Sequence, residues 1–218
     1  MPWLGVWSDA TTYSAGQLVR HNNMLYVAKR TNLDVTPPVS LAGAYSFRAP
    51  TQPTTSVNNE EGDLELAIQF SVDVPGTISE FKFWKGSTAN GGTHVGRLWR
   101  VSDTTKLAEQ NFAGETSSGW QAQAISSPPA VAAGVTYLVS VRHPQARYGN
   151  TAGLFALGPI TVGAITATNC RFGTTPGNMP DQTPGGGFAG LYYGIDFTFV
   201  PDDDGLDDWD IVLRGIAI

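Results

Sequence analysis

Side chains able to do acid–base chemistry are scattered along this chain. Hydrolysis of a glycan needs two carboxylates facing each other across a sugar, one of them with a raised pKa. Between residues 60 and 200 the candidates are Glu60, Glu61, Asp63, Glu65, Asp73, Glu80, Asp103, Glu109, Glu115, Asp181 and Asp196. None is framed by a catalytic motif, and most fall in turns or at outward strand positions. His21, His94 and His143 stand far apart, without the His-x-His or His-x-x-x-His spacing of a metal pair. No Gly-x-Ser-x-Gly elbow occurs. Cys170, the single cysteine, has no histidine near it in sequence and reads as a small buried hydrophobe. These patterns point away from an enzyme, and no catalytic residue is assigned.

Two groups of oxygen donors could hold a hard cation. Asp202, Asp204 and Asp207 flank Gly205 in an acidic run, but that run lacks the downstream bidentate glutamate of an EF-hand loop. It reads as a solvated acidic linker with calcium as the weaker option. Asn58, Glu60, Glu61 and Asp63 form a second oxygen-rich group. No cofactor is otherwise called for. Aromatic side chains carry the better binding signal, because sugar C–H groups stack on exposed ring faces. Trp7, Tyr13, Tyr26, Tyr148, Tyr192 and Tyr193 are the glycan-binding candidates. Trp84, Trp99 and Trp120 read as core.

Composition bounds the rest. The 218 residues include 25 glycines and 14 prolines, against an ordinary combined share of about 12%. Only 15% of residues are charged, so the surface is polar but weakly charged. The net charge of −6 has an address: six of the 19 acidic residues lie between Asp202 and Asp210. The remaining acids balance the 13 Lys and Arg. No basic patch exists to neutralise phosphates, which argues against nucleic acid. Nor does any apolar run reach membrane-spanning length. The N-terminus has neither the basic start nor the apolar stretch of a signal peptide. Synthesis in the cytoplasm is the expectation.

Strands must position these residues. Leu64, Leu66, Ile68, Phe70 and Val72 alternate with Glu65, Ala67, Gln69 and Ser71, the period of a half-buried strand. Phe81 and Phe83, then Val135, Tyr137, Val139 and Val141, then Ile195, Phe197 and Phe199 repeat the pattern. Glycine, proline and asparagine turns bound each run. Residues 104–110 are the one short helix candidate and fit a strand equally well. The reading is an all-β chain, an antiparallel two-sheet sandwich of jelly-roll type. Four segments follow. Residues 1–38 hold a small hairpin, with strands at 17–20 and 24–29. Residues 39–59, rich in Pro, Thr and Ser, read as a linker or arm from which Tyr45 and Phe47 could dock on a neighbour. Residues 60–200 are the sandwich, with a long loop at 178–190. Residues 201–218 are a tail, acidic and then apolar. Its Trp209, Ile211, Val212, Leu213, Ile216 and Ile218 are the expected attachment residues, since an apolar end is normally tied down somewhere.

Motifs add a resemblance. FKFWKG (81–86), GGTHVGRLWRV (91–101), FAGETSSGW (112–120), AGVTYLVSVRH (133–143) and LYYGIDFTFV (191–200) occur in that order. Together they resemble the domain-of-unknown-function family numbered 4082, over roughly residues 54–201. That resemblance implies a β-sandwich found fused to glycan-active and surface proteins. The order Trp7, Tyr13, Gly16, Val19, Tyr26, Ala28 resembles the small chitin-binding-type carbohydrate-binding modules. Lys29-Arg30 stands where those modules carry an exposed tryptophan pair. Such hairpins also occur in bacteriophage tail, fibre and decoration proteins. The resemblance therefore implies a non-enzymatic virion structural protein, assembled in the host cytoplasm as a homo-oligomer among other virion proteins. Its outward sandwich would touch cell-surface polysaccharide. An accessory carbohydrate-binding region of a secreted glycan-active enzyme is the alternative.

Overall fold

The computed structural model describes residues 3–8, 10–21, 24–28, 31, 44–59, 62–186, 189–202 and 209–213. In chain order the strands are β1 (Trp3–Val6), β2 (Leu18–His21), β3 (Met24–Ala28), β4 (Tyr45–Ser46), β5 (Thr55–Asn59), β6 (Leu64–Val72), β7 (Gly76–Lys85) and β8 (Val95–Arg100). They continue with β9 (Thr105–Asn111), β10 (Gly119–Ala124), β11 (Ala130–Val131), β12 (Tyr137–His143) and β13 (Arg147–Asn150). The last are β14 (Ile160–Val162), β15 (Ile165–Gly173), β16 (Ile195–Pro201) and β17 (Trp209–Leu213). Among the described residues the one helical element is a 3₁₀ turn, Val101–Asp103. The chain is all-β, and the ambiguous 104–110 segment is the strand β9.

Two compact units divide it, residues 1–43 with 203–218, and residues 44–202. The smaller unit is a four-stranded sheet in the order β1-β2-β3-β17. Its expected hairpin is present, with β2 and β3 paired antiparallel and Val19 opposite Tyr26. Tyr13, Val19, Tyr26 and Ala28 form its core, with half-buried Trp7 packed against them.

In the larger unit, β10-β7-β16-β4 form one sheet, with β11 also on β7, and β14-β15-β6-β12-β8-β9 form the other. Inward residues of the alternating runs meet between them. Phe70 of β6 lies 4.2 Å from Phe197 of β16, centroid to centroid. This is a two-sheet antiparallel sandwich.

Residues 39–59 are not a linker throughout. From residue 44 the segment belongs to the sandwich: β4 extends the first sheet beside β16, β5 pairs with β13, and Phe47 is buried in the core. Asp196 explains the attachment. Its side chain points outward from β16, yet it is fully buried under the turn that follows β4. There Oδ1 accepts from the Phe47 and Phe197 amides at 2.9 and 2.7 Å, and Oδ2 from Arg48 and Ala49 at 2.8 and 2.6 Å. Backbone groups that a linker would leave to water are thus paired inside the fold.

Candidate functional site

Several acids and bases of the sandwich are engaged in pairs with one another. On the outer face of the six-stranded sheet, Glu65 is fully buried. Its Oε1 accepts from Ser140 Oγ at 2.6 Å, and Oε2 accepts from Arg97 Nη1 at 2.7 Å and the Gly177 amide at 3.2 Å. Ser140 Oγ in turn accepts from Trp99 Nε1 at 2.9 Å. Burial raises the Glu65 pKa, while the serine and the guanidinium oppose the rise. Gly177 thus lies against this face, and Met179, in the loop read at 178–190, packs on the cluster of Ala67, Trp99 and Leu138. Elsewhere Asp63 pairs with Arg142, Asp103 with Arg100, and Glu109 with Arg97 and Lys106.

A second polar cluster lies at the end of the sandwich where β6 begins and β12 ends. His94 Nδ1 meets Glu115 Oε1 at 2.8 Å, and Lys85 Nζ donates to Glu115 Oε2 at 2.7 Å. His94 Nε2 lies 2.8 Å from the atom assigned as Asn90 Oδ1. Burial lowers the His94 pKa, with Glu115 opposing the shift. A neutral ring that gives its Nδ1 proton to Glu115 keeps only a lone pair at Nε2, so Asn90 must turn its NH₂ toward it. That orientation also gives a partner to Asn90 Nδ2, which otherwise has none. A His–Glu pair can act as a base, but this imidazole is fully buried and closed by Asn90. His143 stacks edge-on beside it, centroids 5.3 Å apart. The linkage between Glu115 and His94 escapes sequence reading because a turn and two strands separate them.

From His143 an aromatic path leads to a cavity. His143 lies 6.3 Å from Tyr148, and Tyr148 lies edge-to-face with Tyr193 at 5.3 Å, ring centroid to centroid. Both tyrosines wall a cavity of about 480 Å³. Leu64 and Leu66 of β6 with Phe172 of β15 form one side, and Leu191 stands with the tyrosines. Thr174, Thr183, Pro184 and Gly185 form its edge. No carboxylate, imidazole, ammonium or guanidinium is among these residues.

The six glycan candidates are placed otherwise than expected. Tyr13, Tyr26 and Tyr192 are buried at 2%, 0% and 0% exposure, and Trp7 is half-buried against the small core. Tyr192 donates its hydroxyl to the Ile195 carbonyl and packs on Phe47. Tyr148 and Tyr193 are 3% and 5% exposed. They are brought together as cavity wall, not as a surface platform. A ring sealed into a core has no face to offer a sugar, which removes Tyr13, Tyr26 and Tyr192 as stacking residues. Trp84 and Trp120, read as core, form a half-buried cross-strand pair on β7 and β10, 5.9 Å apart.

Of the calcium candidates, Asp202 is exposed, and Asp204 and Asp207 lie outside the described residues, as do Glu60 and Glu61. Among the tail residues, Trp209, Ile211, Val212 and Leu213 lie in β17, whose backbone pairs antiparallel with β3. Ile216 and Ile218 lie outside the described residues. The tail therefore supplies a strand to the chain's own small sheet.

A two-sheet antiparallel sandwich with an aromatic-walled end cavity places the chain among the β-sandwich proteins. The family described as Domain of unknown function (DUF4082) matches residues 12–188, and the chain belongs to it. That match starts earlier than the expected 54, inside the N-terminal unit, and stops before β16. No curated protein matches the chain.

Proposed function

We propose that this chain is a non-enzymatic structural protein of a bacteriophage particle, in a tail, a fibre or the head decoration. Its outward-facing sandwich meets host-surface glycan. Other virion proteins and further copies of the chain are its partners, and the assembled virion is its place of work. The observation that carries the binding part is the cavity beside Tyr148 and Tyr193, with aromatic and aliphatic walls, threonine hydroxyls at its edge and no acid or base in its lining. Such a lining can hold a sugar but offers no proton donor of raised pKa and no nucleophile for cleavage. The virion part is supported by the resemblance of residues 1–38 to hairpins found in phage tail and decoration proteins.

The test has two arms. An antibody against the purified chain should decorate particles released by cells that carry the gene. The chain should also bind purified envelope polysaccharide of the host without releasing reducing ends over time. Particles free of the chain would remove the virion assignment, and steady release of reducing ends would remove the non-enzymatic one. Recovery of the chain joined to a glycan-cleaving catalytic domain would favour the accessory-module alternative.

A further inference from the structure

We infer that the cavity takes an uncharged sugar unit bearing a methyl-carrying substituent, an acetamido group or a 6-deoxy carbon. This rests on the glycan-contact reading above and narrows it.

Charge is the first discriminator. The lining supplies no side chain of opposite sign for a sialic acid, a uronic acid or a phosphorylated sugar. An ion entering it would give up hydration with no partner to replace the lost water. The ligand is therefore neutral.

Distribution of polar groups is the second. The lining hydroxyls of Thr174 and Thr183 sit at the edge, beside Pro184 and Gly185, and both threonines are exposed. Leu64, Leu66, Phe172 and Leu191 offer no hydrogen-bonding side-chain atom, and the other polar side-chain groups of the lining are the phenol hydroxyls of Tyr148 and Tyr193. A plain hexose carries hydroxyls around its whole rim, so those facing the leucines would be buried unpaired. A sugar with one apolar edge avoids that loss: its hydroxyls face Thr174 and Thr183, and its methyl faces the leucines. The tyrosine rings add the aromatic surface on which sugar C–H groups pack.

Size and rigidity agree. About 480 Å³ lies within the usual range of about 300–1,000 Å³ for small-molecule pockets, enough for a sugar unit but not for a polymer lying flat. The wall around Leu191 is fixed before any ligand arrives. Tyr192 and Thr151 exchange backbone hydrogen bonds at 2.8 and 2.9 Å, and the Phe155 amide donates to the Gly190 carbonyl at 3.1 Å. Gly190 itself, at φ +72°, stands where a Cβ would come within 2.8 Å of the Ala156 nitrogen. A preformed wall loses little entropy on binding.

The experiment is a heteronuclear NMR titration of the full chain with monosaccharides in three sets. One holds N-acetylglucosamine, N-acetylgalactosamine, L-fucose and L-rhamnose. The second holds glucose, galactose and mannose, and the third glucuronic and N-acetylneuraminic acids. At least one sugar of the first set should bind tenfold or more tighter than its unsubstituted counterpart, as expected for an apolar group in a fitted pocket. Acetamido and 6-deoxy sugars within that set show which substituent fits. Shifts should centre on Leu191 and Tyr193. Gly185→Trp, at an exposed position with open space around it, should abolish the shifts while leaving the rest of the spectrum unchanged. Thr183→Val should weaken binding about tenfold. Equal or tighter binding of a plain or acidic sugar would overturn the inference and leave glycan contact standing. So would binding that survives Gly185→Trp. If no sugar of any set bound, and envelope polysaccharide did not bind either, both would fall.

Discussion

The ring of Phe81 on β7 closes directly over Gly96 on β8, so that a Cβ at Gly96 would stand 2.4 Å from Phe81 Cδ2. A ring of one sheet rests there against the backbone of the other, and only a residue without a Cβ leaves room for it. Gly96→Ala should therefore overpack the core and cost about 1–3 kcal/mol in urea unfolding. In a Phe81→Leu background the same substitution should cost less, because a branched aliphatic can yield where a ring cannot. Equal costs in both backgrounds would show that the pair is not coupled.

Asp196 should be among the most sensitive polar positions. Four backbone amides converge on its carboxylate, and they fix the turn that carries the first sheet's edge strand β4. Asp196→Asn replaces one acceptor oxygen by a donor and sets it against two N–H groups. Loss of about 2–4 kcal/mol is expected, with faster hydrogen exchange at Phe47, Arg48 and Ala49. Unchanged exchange at those amides would exclude the clamp.

Much of this fold is legible in the sequence, for a physical reason. Inward positions of β6, β7, β12 and β16 alternate because each strand has one face in the core, and the hairpin of β2 and β3 carries its own turn. What escapes is pairing across distance. Tyr45 lies opposite Phe199 and Trp209 opposite Ala28, and neither partner leaves a mark on its local pattern. A two-residue strand in a Pro- and Thr-rich stretch cannot show a period at all. The site is harder still. Ring identity marks Tyr148 and Tyr193, but period-2 alternation cannot tell a ring that lines a cavity from one that fills a core. Nor can it tell that the Tyr192 ring is sealed into the large core against Phe47, or Tyr13 and Tyr26 into the small one.

Acid should weaken the sandwich through its buried histidines. Burial holds His143 at about 3, against an ordinary 6.5, with neighbouring His94 pushing the same way and the bond to the Arg147 carbonyl opposing. Above about pH 6.5 both folded and unfolded forms are neutral and the residue has no effect. As pH falls from 6.5 toward 3 the unfolded chain takes up a proton that the folded one refuses. Stability should drop by up to about 1.4 kcal/mol per pH unit across that window. His94, also lowered by burial, adds in the same direction. Urea unfolding from pH 7.5 to 4 should show a shallower pH slope for His143→Phe than for the parent. Parallel slopes would mean that His143 does not carry the proton uptake.

The thiol of Cys170 should report on opening of the sandwich. It is 1% exposed on the inner side of β15, and burial pushes it up to about 12, against a smaller opposing effect of the Tyr193 backbone. Native protein at pH 8 should therefore resist a thiol reagent for as long as the fold holds. Labelling should appear at the rate of unfolding when urea is added, and rapid labelling without denaturant would contradict the packing around β15.

Deleting residues 203–218 should injure the small unit and spare the large one. β17 is the outermost strand beside β3, with Trp209 opposite Ala28 and Ile211 opposite Tyr26. Its removal turns β3 into an edge, leaving a three-stranded sheet whose buried core, among the described residues, is Tyr13, Val19, Tyr26 and Ala28. Sheets of that size sit near the limit of independent stability. Among the described residues, β17 pairs with no strand of the sandwich. Hydrogen exchange should accordingly lose protection at the amides of β3 while β6, β7 and β12 keep theirs, and the calorimetric transition of the sandwich should stay within about 2–4 °C of its parent. Retained protection at β3 would mean that β17 contributes nothing to the sheet. A large fall in the sandwich transition would mean that the two units do not melt independently.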